Sequence, residues 1–304
     1  MGFLYFLEGI RMPFLNEIML LITQFGEETA FLVTAMIVFW CVNKYWGYYV
    51  LSVGFIGTLC NQFLKLIFRV PRPWVLDSNF TILEEAREAA SGYSFPSGHT
   101  QSAVGTFGAI GYLAKNRWIK TIVILIAIFV PFSRMYIGVH TPADVLVAAA
   151  MAIALIYILK PVVLGKENAG FKCLLGFMLV LALGFLSYVE FYHFPEDIDA
   201  HNLTSGIKNA YTLLGSLMGL IVVYIVDKKW LNFPTEAIWW AQALKVLGGL
   251  LVVLAVKSGL KEPLNMILGE SLGRAFRYFL VVVVAGILWP MTFKWFQKLG
   301  KKVS

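Results

Sequence analysis

Three short blocks hold residues whose types and spacing suit one reaction. They are Lys65-x6-Arg72-Pro73, Pro96-Ser97-Gly98-His99 and Ser133-Arg134-x5-His140-x3-Asp144. Transfer of a phosphoryl group needs positive charge on the non-bridging oxygens, a nucleophile in line and an acid for the leaving oxygen. Lys65, Arg72 and Arg134 offer the charge, His140 and His99 two imidazoles, and Asp144 a carboxylate. That inventory suits phosphoryl transfer without a metal, so no cofactor is expected.

Arg72 and Arg134 can each present a planar fork to phosphate oxygens, and Lys65 adds a point charge. Pro71 and Pro73 flank Arg72 and restrict its backbone. Pro96-Ser97-Gly98-His99 precedes an apolar stretch that reads as a helix, and helix N-termini carry unpaired N–H groups that suit an anion. Gly98 lets the backbone approach a phosphate, Ser97 adds a hydroxyl, and His99 stands at the rim to protonate a leaving alkoxide. Thr141-Pro142 reads as an N-cap followed by proline at the first helical position. Asp144 then lies about one turn beyond His140, where a carboxylate can hold one ring nitrogen as N–H and leave the other free to attack phosphorus. Each residue has a plainer reading alone: a cation at the end of an apolar span is usually a snorkelling anchor, the preferred reading of Arg69, and Pro-Ser-Gly is a helix-start signal. Taken in order, the set serves one reaction.

These residues must be positioned by elements in a membrane. The chain has 304 residues, 59% hydrophobic and 14% charged, with a mean hydropathy of +0.74; soluble domains are charged at about a quarter of their positions. Repeated apolar runs near span length predict an all-α, polytopic helical bundle. Residues 1–25, interrupted by Glu8, Arg11, Pro13 and Glu17, read as an interfacial helix or a poor first span. Clearer spans are expected at about 29–43, 47–69, 97–114, 119–137 and 141–160, then at about 172–192, 209–226, 238–257 and 274–294. The net charge of +7 comes from cations at span ends, not from an aromatic-interleaved patch, so no nucleic acid is expected. Cys41, Cys60 and Cys173 lie in apolar runs and form neither a disulfide framework nor a zinc spacing. No signal peptide is read.

One set of connections carries Lys44; Lys115, Arg117 and Lys120; Lys160, Lys166 and Lys172; Lys228 and Lys229; and Lys294, Lys298, Lys301 and Lys302. The other carries Asp77, Glu84, Glu85 and Glu88, then Glu196, Asp197 and Asp199. The positive-inside rule makes the first set cytoplasmic and puts all three blocks on the extracytoplasmic side. Between Pro71 and Pro96 a long connection, with a short helix expected over 81–90, reads either as a lid or lipid-access element or as a solvated connector. His193, Glu196, Asp197, Asp199 and His201 fit no metal spacing and read as a solvated loop. Trp239, Trp240, Trp289 and Trp295 read as interfacial belt residues.

The three blocks together resemble the signature of the type 2 phosphatidic acid phosphatase superfamily, which includes membrane lipid phosphatases, bacterial acid phosphatases and vanadium haloperoxidases. The resemblance covers roughly half the chain. It implies a helical core, no metal and a phosphohistidine intermediate. His140 is then the nucleophile, Asp144 its orienting carboxylate, and His99 the general acid and later the base. Lys65, Arg72, Ser97, Gly98 and Arg134 bind the phosphate. The expected organisation is a phosphatase core of about six helices over residues 1–162 and a four-span extension of unknown role over 163–304. The expected function is hydrolysis of a lipid phosphate or diphosphate in a bacterial cytoplasmic membrane, at its extracytoplasmic face. Polyprenyl diphosphate, phosphatidic acid, phosphatidylglycerophosphate and sphingoid-base phosphate are all candidates, and the compact loops favour an isoprenoid or glycerolipid. Phosphotransfer to another hydroxyl, or lipid binding and transport, are the alternatives. The expected partners are the bilayer and a lipid phosphate; oligomeric state is open.

Overall fold

The computed structural model describes residues 1–87, 90, 92–165, 168–196 and 198–299. Glu88, Lys166, Asp197, Lys301 and Lys302 lie outside the described residues. Among the described residues every regular element is helical. By internal packing the chain divides into two compact units: Met1–Thr34, Tyr49–Gly165 and Phe194–Ser205 form the first, and Ala35–Tyr48, Lys166–His193 and Gly206–Ser304 the second.

The helices are α1 (Gly2–Gly9), α2 (Pro13–Thr23), α3 (Glu28–Ile37), α4 (Lys44–Phe68), α5 (Pro73–Leu76), α6 (Gly98–Leu113), α7 (Arg117–Tyr136), α8 (Pro142–Leu164), α9 (Asn168–Phe191), α10 (Ala200–Val226), α11 (Trp239–Gly259), α12 (Lys261–Val283) and α13 (Phe293–Lys298). Their starts follow the local chemistry. Pro13, Pro73 and Pro142 sit in first turns, where the missing N–H costs nothing. Asn116 caps α7, its Oδ1 accepting from Trp118 N at 2.9 Å and Ile119 N at 3.3 Å.

Among the described residues seven helical stretches are long and apolar enough to cross a membrane, four of them after residue 168: Ala169–Phe191, Ala200–Leu231, Trp239–Gly259 and Lys261–Lys298. The protein is an integral membrane protein with several spans. Two expected spans differ from the sequence reading. The stretch at 29–43 pairs with Pro13–Gly26 across a 58° bend, so the two form a broken span or a re-entrant loop. The stretch at 97–114 is a helix of 16 residues, about 24 Å long at 1.5 Å per residue, short of a hydrocarbon core of about 30 Å.

In the first unit α6 packs against both α7 and α8. The connection from Pro71 to Pro96 is a packed layer. Where a helix is expected over 81–90, the described residues hold a 3-10 turn, Glu84–Ala86, with Glu88 and Ala89 outside them; α5 stands earlier in the connection. Phe80 and Ile82 are buried with Leu4, and Ala86 and Ala90 with Met19, Tyr136, Ile137 and Val139. Leu83 N donates to Ile137 O at 3.1 Å, which ties this connection to the turn that carries His140.

Candidate active site

His140 lies in the short connection between the end of α7 at Tyr136 and the start of α8 at Pro142. The chain reverses at Gly138, φ 89°, a backbone region that costs a side-chain-bearing residue steric strain. Arg11 and Phe80 also crowd that position: a Cβ there would stand 2.8 Å from Arg11 Nη2 and 3.0 Å from Phe80. Val139 N then donates to Arg134 O at 3.1 Å, so the end of α7 and the His140 turn are held together. Thr141 and Asp144 form a capping box: Thr141 N donates to Asp144 Oδ2 at 2.7 Å, and Asp144 N donates to Thr141 Oγ1 at 3.3 Å. The cap fixes the carboxylate beside the imidazole, with Asp144 Oδ2 3.5 Å from His140 Nδ1.

Arg72 decides which ring nitrogen holds the proton. Its Nη1 lies 3.0 Å from His140 Nε2. A guanidinium can only donate, so Nε2 presents its lone pair and the proton resides on Nδ1. Nδ1 faces Ser94 Oγ at 3.4 Å, and Ser94 donates its own hydrogen to Asp144 Oδ2 at 2.6 Å. Ser94 therefore bridges imidazole and carboxylate. Arg72 is held by two further carbonyls, Gly92 O at 2.8 Å from Nε and Val139 O at 2.9 Å from Nη1.

The remaining residues of the three blocks converge on the same unit. Lys65, in the last turn of α4, donates through Nζ to Tyr93 O. Arg134, in the last turn of α7, donates through Nη1 to Thr23 Oγ1 at 2.9 Å, while its buried Nε has no partner among the described residues. Ser97 caps α6: its Oγ accepts from Thr100 N at 3.4 Å, and its own N–H donates to Asp144 O at 3.1 Å. Its hydroxyl thus builds the helix end, while its backbone ties that end to α8. Gly98 opens α6 with His99 next to it. His99 Nε2 is buried and, among the described residues, unpartnered, and Arg134, Arg72 and Lys65 lie within electrostatic range of the ring.

Burial and the Arg72, Arg134 and Lys65 cations hold the His140 imidazole well below its ordinary pKa range. It stays neutral and keeps the Nε2 lone pair well below the pH at which a free histidine protonates. A neutral imidazole with one nitrogen fixed as N–H and the other beside clustered cations is equipped to attack an anionic phosphate. Among the described residues no three His, Cys, Asp or Glu side chains are grouped to hold a metal ion.

Comparison with known proteins places the chain in a family. The profile described as the PAP2 superfamily matches residues 45–167, and the one described as PAP2 superfamily phosphatase, transmembrane extension, matches residues 211–302. The chain is 32% identical over 164 residues to phosphatidylglycerophosphatase B of Bacillus subtilis (strain 168), covering 50% of this chain and 76% of that relative. It is 34% identical over 100 residues to undecaprenyl-diphosphatase BcrC of the same organism, covering 33% of this chain and only 49% of that relative. An undecaprenyl-diphosphatase of Sulfolobus acidocaldarius is 28% identical over 134 residues, covering 43% and 63% of the two chains. The chain belongs to the PAP2 superfamily. No solved structure matches it.

Sequence reasoning missed Ser94, Thr23 and the Gly92 and Tyr93 carbonyls. Ser94 stands just before the Pro96 block, and its hydroxyl was a faint signal. Thr23 is far from Arg134 in sequence, and a carbonyl leaves no trace in residue type.

Proposed function

We propose that the protein is a membrane lipid phosphatase that hydrolyses a lipid phosphate or diphosphate through a phosphohistidine, with the core in residues 1–162 and the four-span extension in 163–304. The observation that carries this reading is His140 itself, buried with Nε2 3.0 Å from Arg72 and Nδ1 backed by Ser94 and Asp144. Substrate phosphate takes Arg72, Arg134 and Lys65 onto its oxygens, which uncovers the Nε2 lone pair. The Ser97 hydroxyl, which keeps its hydrogen while accepting from Thr100 N, and the Gly98 N–H add donors at the α6 N-terminus. Nε2 forms a bond to phosphorus as the bond from phosphorus to the lipid oxygen breaks; His99, which takes up a proton as the anionic phosphate offsets the surrounding cations, gives it to that oxygen. Asp144, through Ser94, stabilises the positive charge left on the phosphorylated ring. Water then attacks phosphorus, His99 takes its proton, and the N–P bond breaks to release inorganic phosphate.

The asymmetry of Lys and Arg between the two sets of connections supports an extracytoplasmic site in a bacterial cytoplasmic membrane. The names carried by similar proteins put polyprenyl diphosphate and glycerolipid phosphates first among substrates. The test is phosphate release in detergent micelles with EDTA present, across lipid mono- and diphosphates. Release by the parent and none by His140→Ala supports the proposal. Undiminished release by the variant refutes it.

A further inference from the structure

Helix α12 (Lys261–Val283) is two helical segments joined at Gly269, whose φ of 76° and ψ of 169° belong to a region open essentially to glycine alone. The break folds the first segment back on the second. A Cβ at Gly273 would lie 2.7 Å from Leu264 O and 3.0 Å from Asn265 N. Arg277 is one turn beyond Gly273 on the same helix face, and a long helical side chain leans back over the turn before it, toward residues 264 and 265. The opposite face meets α10, where Gly215 and Gly219 stand against the Ala275 and Phe279 carbonyls.

Arg277 is only 5% exposed, yet among the described residues its Nε and Nη1 have no hydrogen-bond partner. Arg274 Nε and Asn265 Oδ1 are likewise buried and, among the described residues, unpartnered. Glu270 is shared by Lys208 at 3.1 Å and Arg274 Nη2 at 3.6 Å; among the described residues no carboxylate pairs with Arg277. The Tyr278 ring lies between Arg277, at 5.5 Å, and Lys257, at 5.8 Å. A buried guanidinium with free donors calls for an anion, and an ionisable group inside a membrane span ordinarily marks a functional site. Met266, Ile267, Leu272 and Phe276, on the two segments that flank the break, are exposed apolar side chains, which suit an acyl or prenyl tail and not a soluble anion.

We propose that Arg277, with Arg274 and Asn265, forms a second anion site, in the C-terminal extension, that holds the phosphate headgroup of a lipid. The guanidinium fork takes two phosphate oxygens and Asn265 adds its amide N–H by rotation. Every residue of this site lies in the second unit, so the site stands whether or not His140 is the nucleophile.

The test uses the full chain in detergent, carrying His140→Ala and Arg72→Gln to disable the first site. Binding of phosphatidic acid, phosphatidylcholine and inorganic phosphate is counted by native mass spectrometry. Phosphatidic acid is expected to remain bound in preference to phosphatidylcholine, to resist competition by inorganic phosphate, and to weaken roughly 30-fold or more with Arg277→Gln. Equal retention of phosphatidic acid with Arg277→Gln, no preference over phosphatidylcholine, or ready displacement by inorganic phosphate would each overturn the proposal. Should Arg277→Gln fail to fold, Arg274→Gln combined with Asn265→Leu carries the same test, and unchanged binding there is equally fatal to it.

Discussion

Arg72 Nη1 stands 3.0 Å from His140 Nε2, on the lone pair that attacks phosphorus in the proposed reaction. The guanidinium guards the nucleophile until a phosphate offers it better acceptors. A lysine at this position would keep the charge and lose the fork. Arg72→Lys is expected to lower kcat/KM about 10²- to 10³-fold, the scale of removing one preorganised donor. Steady-state kinetics on a micellar lipid phosphate measure it, and a loss under about tenfold would remove Arg72 from the transition state.

The neighbouring cations also set the pH dependence. Burial and then Arg72, Arg134 and Lys65 depress the His140 pKa, so the ring is neutral through the range where an ordinary histidine, near about 6.5, titrates. The acid limb of kcat/KM that reports the nucleophile should therefore fall well below that value. Taking away a cation favours the protonated ring, so Arg72→Gln should move that limb upward in pH. A limb that stays put in the variant would mean that His140 is not the group being titrated.

Asp144 reaches the imidazole at 3.5 Å and accepts its shorter bonds from Ser94 and Thr141. Asp144→Asn removes the charge that stabilises the phosphorylated ring and should cost about 10²- to 10⁴-fold in kcat. Ser94→Ala leaves the carboxylate in place and removes only the bridge. It should cost about tenfold in kcat and about 1 kcal/mol in stability. If Ser94→Ala proved as damaging to kcat as Asp144→Asn, the bridge and not the carboxylate would be the orienting group.

Gly138 tests the scaffold separately from the chemistry. Alanine there meets both the φ of 89° and the contacts with Arg11 and Phe80. Gly138→Ala is expected to destabilise the protein by about 1–3 kcal/mol, read as a lower Tm in detergent, with kcat falling as the His140 turn shifts. An unchanged Tm would show that the turn relaxes freely.

Much of this site was legible in the sequence because its residues sit at helix ends. Thr141-Pro142 announced the start of α8, and the capping box then fixed Asp144 one turn from His140. Charged residue types at fixed spacing likewise announced Lys65, Arg72 and Arg134. What could not be read was the wiring between elements. Ser94 reaches Asp144 because the Pro71–Pro96 connection packs on the His140 turn, and that packing comes from scattered apolar residues such as Phe80, Ile82 and Ala86 with no period to betray it. Helix lengths and bends were also hidden: apolar composition alone did not give the 16 residues of α6 or the 58° bend between Pro13–Gly26 and Glu28–Val42.

The most direct measurement is to trap the intermediate. The protein is mixed with a lipid phosphate carrying radiolabelled phosphorus, quenched in alkaline denaturant where a phosphohistidine survives, and digested. A phosphohistidine mechanism predicts label on the peptide that contains His140, lost on acidification and absent from His140→Ala. Turnover in the parent with no protein-bound label, together with undiminished turnover in His140→Ala, would contradict it.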